Sequence, residues 1–440
     1  MDASSFFKGK KITVMGLGLL GRGVGDVRFL VEHGAEVIVT DLKSEVDLAP
    51  SLDALKDLKG ITYHLGTHHL EDFSGRDLIL KAPNTPTDSI YIKEALRNGI
   101  PVTMSTALFA RFAREAGATL VGITGTRGKT TTTEMIAHVL RVAGKQVLRG
   151  GNIRGISTLA LLPEVTKDTI AVLELDSWQL QGFGAERMSP DVSVFTTFYP
   201  DHMDYYAGDM QKYLADKAEI FLHQRSGDTL VLGQAATEVV PAYPALPVGP
   251  ITVTAHDAED LKLSVPGIHN LANAACARAA VRALGIQEET ITQALESFKG
   301  VTGRLEFVRE VNGVLYYNDT TATTPEATIA ALRALSEGGR RIILIMGGSD
   351  KGLTMHALIE ELPRRTKRTI FLAGTGTDRI MPFLHDASVF GDLKAAFDEA
   401  VRYASPGDVV VLSPAFASFG MFKNEYERGD QYIELVHALT

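Results

Sequence analysis

The 440-residue chain contains one cysteine, Cys276, which excludes an internal disulfide. Cys276 lies in NLANAACARAAVRAL, an Ala-rich helical stretch, and reads as a small core residue. Long apolar runs are also missing. None approaches the roughly 18 residues needed to span a bilayer. The start, MDASSFFKGKK, has no apolar core of the signal-peptide kind. Basic excess is absent: Lys and Arg number 44 against 53 Asp and Glu, a net charge of −9. That argues against a nucleic-acid partner, whose affinity rests on basic surface. Short repeats and low-complexity segments are not found. Together these absences describe a reducing, cytoplasmic protein with no integral membrane segment. Small anionic substrates stay open, because a local site can oppose the net charge.

What is present is an ordinary globular mixture, 45% hydrophobic and 22% charged, long enough for two or three domains. Short β-branched runs alternate with helical segments, which predicts an α/β fold with parallel sheets covered by helices. The pattern restarts three times. KITVMG, AEVIVTD, DLILKAP and IPVTM are strands of a first block. The helix ALFARFAREAG leads to a second, with strands TLVGITGT, IAVLELD and VSVFTTF. The third opens near Val301 with LEFVREVNGVLYYND, a hairpin through Asn312 and Gly313. It continues with RRIILIMGG, TIFLAG and DVVVLSPA. The expected domains are 1–104, 105–301 and 302–440.

Two glycine loops compete as nucleotide sites. Gly16, Gly18 and Gly21 form G-x-G-x-x-G between a strand and a helix, and Asp41 ends the next strand. This spacing fits a dinucleotide fingerprint, with NAD as one candidate ligand. A tight turn without ligand is the alternative. Nothing downstream resembles hydride chemistry. The second loop, Gly125-Thr-Arg-Gly128-Lys129-Thr130, is the sharper signal. Gly128 lets backbone N–H groups wrap a phosphate, Lys129 offers a point charge, and Thr130 offers a hydroxyl to Mg²⁺. The helix that follows adds its dipole. Ile123 occupies the place of the first Walker glycine, so the loop is a shortened G-x-x-G-K-T.

A third signal is Lys217. In DMQKYLADKAEIFL, Met210, Tyr213, Leu214 and Phe221 mark one helical face, and Lys217 falls on it. A lysine on a buried face is costly unless it is neutralised or paired. Snorkelling to water is the alternative.

At this point GTRGKTTTTEMI resembles the ATP loop of the Mur ligase family, which also includes folylpolyglutamate synthases. The GLGLLG start and the SPAFASFGMFKNEYERGDQY end are most similar to the family branch that joins glutamate to UDP-N-acetylmuramoyl-L-alanine. The resemblance covers essentially the whole chain. It implies a Rossmann-like UDP-binding domain, a central P-loop ATPase-like domain with a mostly parallel sheet, and a C-terminal Rossmann-like domain. It implies a monomer, and it reassigns the first loop from NAD to a UDP-sugar. Gly18, Leu19 and Leu20 would meet the diphosphate, and Asp41 and Leu42 the uracil.

The implied chemistry is phosphorylation of a carboxylate by ATP, then attack of an amine on the acyl phosphate. The resemblance assigns ATP contacts to Gly125, Thr126, Arg127, Gly128, Lys129, Thr130 and Thr131. It adds Asn270 and Asn273 at the adenine, Arg304 at phosphate and Asp319 at the ribose. Lys129, Glu174, His202 and Lys217 would be catalytic. Two Mg²⁺ ions would be held through Thr130, Glu174, His202 and Lys217, the last as a carbamylated lysine. Asn152 would lie near the sugar-peptide. Lys351, Thr323 and Ser418 would meet the incoming glutamate.

The chain departs from the family pattern in several places. Ala82-Pro83-Asn84 stands where Ser-Pro-Gly is usual. Asp176 interrupts the usual SSFQL, Gly303 replaces a histidine, Thr321 a lysine and Glu425 an aromatic. Arg127 is a candidate to restore the charge lost at Thr321, Tyr426 to replace the aromatic, and Arg428 to pair with Glu425. The leading expectation is D-glutamate addition in peptidoglycan precursor synthesis. L-glutamate addition, a folylpolyglutamate-type ligase, a nicotinamide oxidoreductase and a non-catalytic UDP-sugar-binding protein are the alternatives.

Overall fold

The β-branched and leucine-rich runs become the buried strands of three sheets. A computed structural model describes residues 3–240, 246–336, 339, 341–384 and 387–440. The first sheet contains β1 (Lys11–Met15), β2 (Glu36–Asp41), β3 (Ile61–Leu65), β4 (Leu78–Lys81) and β5 (Val102–Thr103). They pair in the order β3-β2-β1-β4-β5, all parallel. The second contains β6 (Thr119–Thr124), β7 (Gln146–Gly151), β8 (Thr169–Glu174), β9 (Val192–Phe195), β10 (Thr229–Gly233) and β11 (Ile251–Val253). Its order is β11-β10-β9-β6-β8-β7, again parallel throughout.

The third sheet has β12 (Glu306–Val311), β13 (Val314–Asn318), β14 (Ile342–Gly347), β15 (Thr366–Leu372), β16 (Ser388–Phe390) and β17 (Val409–Leu412). Its order is β12-β13-β17-β14-β15-β16, with β12 the single antiparallel strand. β12 and β13 form the expected hairpin. Asn312 and Gly313 turn it with φ of 52° and 77°, the paired positive values a tight two-residue hairpin requires. Arg340, at the start of the run RRIILIMGG, lies outside the described residues.

The chain packs as two compact units, residues 1–258 with 273–294, and residues 259–272 with 295–440. The first unit holds the first two sheets, with a large apolar core that both share and a smaller one of Met15, Phe73, Ile79 and Ile92 on the first sheet. Phe7, Phe29, Phe112, Phe183 and Phe221 belong to the large core, and Phe7 packs edge-on against Phe29 and Phe112. The second unit has cores on both faces of its sheet, one with Leu344 and Phe371, the other with Ile345 and Phe397. Parallel strands buried on both faces explain why the strand sequences run continuously apolar rather than alternating. Cys276 is buried in the helix Ile268–Ala283, as expected for a small core residue, and burial pushes its thiol up to about 12.

Parallel sheets place loops, and therefore ligands, at the carboxyl ends of their strands. In the first unit those ends carry the two glycine loops, Asp41, Lys81 and Glu174.

Candidate active site

The first glycine loop leaves β1 and enters the helix Arg22–Glu32, whose N-cap is Gly21 with φ 83°. Asp41, at the end of β2, organises this loop. Its Oδ2 accepts from the Leu17 and Gly18 N–H groups at 2.9 and 3.0 Å, and Oδ1 accepts from Lys43 N–H. Beside it, Leu19, Leu20 and Leu42 stand exposed. Exposure of so much apolar surface on two adjoining loops is a feature of a ligand-facing surface rather than of packing.

Asn152, beyond the end of β7, is tied to the same loop. Arg22 donates from Nη1 to Asn152 Oδ1 at 3.0 Å, and Gly155 N–H donates to the Leu20 carbonyl. Asn152 N–H donates to the Glu174 carbonyl. The candidate sugar-peptide residue thus links the first glycine loop to the strand that carries a candidate metal carboxylate.

The second loop leaves β6 and enters the helix Lys129–Val142, capped by Gly128 with φ 86°. Its backbone is pinned. Thr126 N–H donates to the Thr197 carbonyl, and Arg127 N–H to Thr197 Oγ1. The Thr196 and Thr197 hydroxyls both donate to the Arg127 carbonyl. Asn273 packs on the loop so closely that a Cβ at Gly128 would lie 2.4 Å from its Oδ1. Lys129 Nζ folds back on the Gly125 and Thr126 carbonyls at 2.9 and 3.3 Å. Thr130 and Thr131 follow in the first turn, where the helix N-terminus attracts anions. The Arg127 guanidinium meets Asp201 at 3.3 Å.

Around this loop sit the other candidate catalytic groups. Glu174 ends β8 and is buried. Asp176 then caps the helix Ser177–Ala185 in a reciprocal capping box with Gln179, a role that the family's usual serine can also fill. His202 has φ 54°, and its ring lies 4.5 Å from Trp178 and 6.3 Å from Tyr213. Burial holds its pKa below the usual imidazole value, which favours the neutral ring.

Lys217 lies on the inner face of the helix Met210–Ala218 and is 1% exposed. It does not snorkel. Nζ donates to Thr124 Oγ1 and the Gly125 carbonyl at 3.3 and 3.1 Å, and stands 4.9 Å from the Tyr213 ring centre. Burial, helped by the nearby Lys129 charge, drives its pKa well below the ordinary lysine value.

One cavity of about 660 Å³ within the first unit reaches from the first glycine loop to Lys129 and His202. Gly18, Leu20 and Asp41 line one stretch, and Lys129, Asp176 and His202 another. Sequence reading overlooked three cations on its wall, Arg22, Lys43 and Lys81. The signal for Lys81 was a lysine closing the apolar run LILK.

In the second unit, Lys351 Nζ donates to Thr323 Oγ1 at 2.9 Å, so two of the three candidate glutamate-contacting residues meet. Ser418 is buried. Arg304 is electrostatically coupled to Asp319, whose oxygens accept from Leu305 N–H and Ser413 Oγ. Burial raises Asp319 to about 7. Asn270 donates to the Pro266 carbonyl.

The two departures Gly303 and Thr321 are partners: Thr321 N–H and Oγ1 both donate to the Gly303 carbonyl. Arg428 is fully buried and donates to the Thr320 and Phe416 carbonyls and to Thr320 Oγ1. Among the described residues no ion pair joins it to Glu425, although their charges attract. Glu425 instead opens the helix Glu425–His437, where the macrodipole favours an acid.

Three segments of the chain match known domain families. Residues 10–104 match the Mur ligase MurD-like N-terminal domain, 123–240 the Mur ligase middle domain, and 303–416 the Mur ligase glutamate ligase domain. The UDP-N-acetylmuramoylalanine--D-glutamate ligase of Roseiflexus sp. (strain RS-1) is 38% identical, across 98% of this chain and 99% of that protein. The enzyme of the same name from Borreliella burgdorferi (strain ZS7) is 34% identical, across 98% of each. Among solved structures, the UDP-N-acetylmuramate-alanine ligase MurC of Thermotoga maritima superposes with a TM-score of 0.62 at 20% identity. It spans 98% of this chain and 99% of that one. MurF ligase from Thermotoga maritima in complex with ADP gives 0.62 at 17% identity, across 99% and 96%.

Proposed function

The chain belongs to the Mur ligase family, and we propose that it joins D-glutamate to UDP-N-acetylmuramoyl-L-alanine at the expense of ATP. The reaction belongs to peptidoglycan precursor synthesis. One observation carries this reading: a single cavity runs from the first glycine loop to Lys129 and His202. A nucleotide-linked acceptor anchored at Gly18 can therefore extend its carboxylate toward phosphates gripped at Lys129.

The residues divide the work. Loop N–H groups and the helix start behind Gly128 receive the ATP phosphates. Lys129 leaves the Gly125 and Thr126 carbonyls for phosphate oxygens, and the Arg127 side chain lies beside it. Asn270 and Asn273 serve the adenine side, Arg304 a phosphate and Asp319 the ribose. On the acceptor, Leu19, Leu20 and Leu42 pack around the nucleotide while Asn152 meets the sugar-peptide. Lys351, Thr323 and Ser418 hold the incoming glutamate. The acceptor carboxylate takes the γ-phosphoryl group, and the glutamate amine displaces phosphate from the acyl phosphate. Positioning and charge neutralisation supply most of the rate.

Magnesium fits the donors present. This ion is typically held by one or two carboxylates together with substrate phosphates, and keeps several waters. Thr130, Glu174 and a neutral His202 form such a set. Among the described residues no three His, Cys, Asp or Glu are gathered to hold a metal alone. When bound, magnesium neutralises phosphate oxygens. We assign two ions, with Lys217 as a carbamate beside them. A buried amine kept neutral can attack CO₂, forming an N–C bond and releasing a proton. The neighbouring Thr124 hydroxyl can donate to the resulting anion.

The domains are assigned as 1–104, 105–301 and 302–440, supported by the three sheets and the three matched segments. The reading also includes a monomer acting in the cytoplasm. No described helix is long and apolar enough to cross a membrane.

Phosphate release from ATP tests the proposal, using UDP-N-acetylmuramoyl-L-alanine with D- or L-glutamate. Turnover with D-glutamate alone is expected, and none with D-glutamate overturns the reading. For the carbamate, Lys217→Ala should be inactive and partly rescued by acetate. Activity that acetate leaves unchanged removes that role.

A further inference from the structure

Lys81 closes β4 and pairs in register with Met15 of β1, the residue immediately before the first glycine loop. Only 6% of it is exposed, yet it lines the cavity shared by that loop and Lys129. Nζ donates to the Pro83 carbonyl at 3.4 Å and the Thr85 carbonyl at 3.1 Å. Among the described residues, no carboxylate forms an ion pair with it.

A buried cation held only by two neutral carbonyls is left with much of its desolvation cost uncompensated. The acids whose charges act on it, Asp216 and Asp176, do so through space. Asp176 already caps its own helix, while Asp216 accepts from Gln181 and Tyr206. Burial still draws the Lys81 ammonium down to about 8, so it remains mostly charged at neutral pH. The missing counter-charge is what an anionic ligand entering the cavity would bring.

We propose that Lys81 is a substrate-binding residue that ion-pairs with an anionic group of the UDP-linked acceptor. The proposal rests on the reading of function above and adds a residue to it. Two parts of the acceptor share the required chemistry, the diphosphate and the free carboxylate. Lys81 adjoins the glycine loop expected to take the diphosphate, and the cavity it lines continues to Lys129, where the carboxylate reacts.

The competing role is structural, with Lys81 merely holding the Pro83–Thr85 turn. Lys81→Gln separates the two, because an amide keeps N–H donors for the carbonyls and removes only the charge. Lys81→Met removes both. Binding of UDP, of UDP-N-acetylmuramate and of UDP-N-acetylmuramoyl-L-alanine is measured by calorimetry for wild type and both variants, alongside thermal melting. Both variants should bind the acceptor roughly 10- to 100-fold more weakly, as loss of a charged hydrogen bond implies. Equal weakening for UDP assigns the contact to the diphosphate. Weakening confined to the two carboxylate-bearing ligands assigns it to the carboxylate. If Lys81→Gln melts and binds like wild type, or if melting falls while its binding is unchanged, the proposal is overturned. A wild-type chain that binds none of the three ligands overturns both this proposal and the functional reading.

Discussion

The two glycine loops of the first unit share one backbone device in different electrostatic surroundings. Each leaves a central parallel strand and enters a helix through a left-handed glycine, Gly21 at φ 83°, ψ −18° and Gly128 at φ 86°, ψ −15°. Their surroundings diverge. The first loop is held by an acid, because Asp41 takes the Leu17 and Gly18 N–H groups for itself. The second is held by neutral threonines and a packed asparagine, and it carries Lys129 and Arg127. Backbone geometry makes a loop able to approach a phosphate. The side chains around it decide how much positive charge it offers, and hence whether it serves a reacting triphosphate or anchors a nucleotide that is only held.

The comparison breaks most visibly at Lys129. Lys129→Ala is expected to lower kcat/KM for ATP roughly 100- to 1,000-fold, the usual effect of removing one preorganised charge stabiliser. UDP binding, read by calorimetry, should stay within about twofold. Parallel loss of both would mean that the loops do not act separately.

Asp41→Ala is the converse. It strands two buried or half-buried loop N–H groups, each worth about 1–3 kcal/mol of lost satisfaction. We expect UDP-acceptor binding to weaken by a factor of about 10 or more, with the KM for ATP unchanged. An altered ATP KM with intact acceptor binding would reverse the assignment of the loops.

The pH profile sharpens the comparison further. Lys81 is protonated below about 8 when the cavity is empty. An anion favours the protonated form and raises the bound pKa. Acceptor affinity should therefore be flat below pH 8 and fall as pH rises beyond it, with Asp176 and Asp216 moderating the effect. Lys81→Gln should abolish that fall.

The smallest effect is expected at Arg127, half exposed and paired with Asp201. Such pairs are worth about 0–1 kcal/mol to stability. Arg127→Asn should raise the KM for ATP about threefold without shifting the melting temperature. An unchanged KM would remove Arg127 from phosphate binding.

Much of the fold was legible because parallel strands buried on both faces read as continuous apolar runs, as in IAVLEL and IILIMG. Sequence reading passed over β3, β7, β10, β11 and β16, four of which are sheet edges. Edge strands are half exposed and carry polar residues, such as His64 in β3 and Arg149 in β7, so pairing with a neighbour rather than their own pattern makes them strands. The same division holds in the site. Lys217 was legible because helical spacing put it on the apolar face and the family resemblance weighed against snorkelling. Lys81 and the Arg22–Asn152 link were not, since each depends on a loop distant in the chain.

By itself, the order of residues determined most strands of the three sheets, the positive-φ glycines that open both helices, and the cationic character of the second loop. These are local properties: a glycine adopts its backbone angle, and a lysine follows it, wherever the segment lies. Tertiary structure alone decided that Asp41 spends its carboxylate on the loop beneath it and that Lys81 is enclosed without a counter-ion among the described residues. It also decided that the first glycine loop and Lys129 of the second share one cavity. Charge compensation in a site is summed over residues from many strand ends, and only folding brings those ends together.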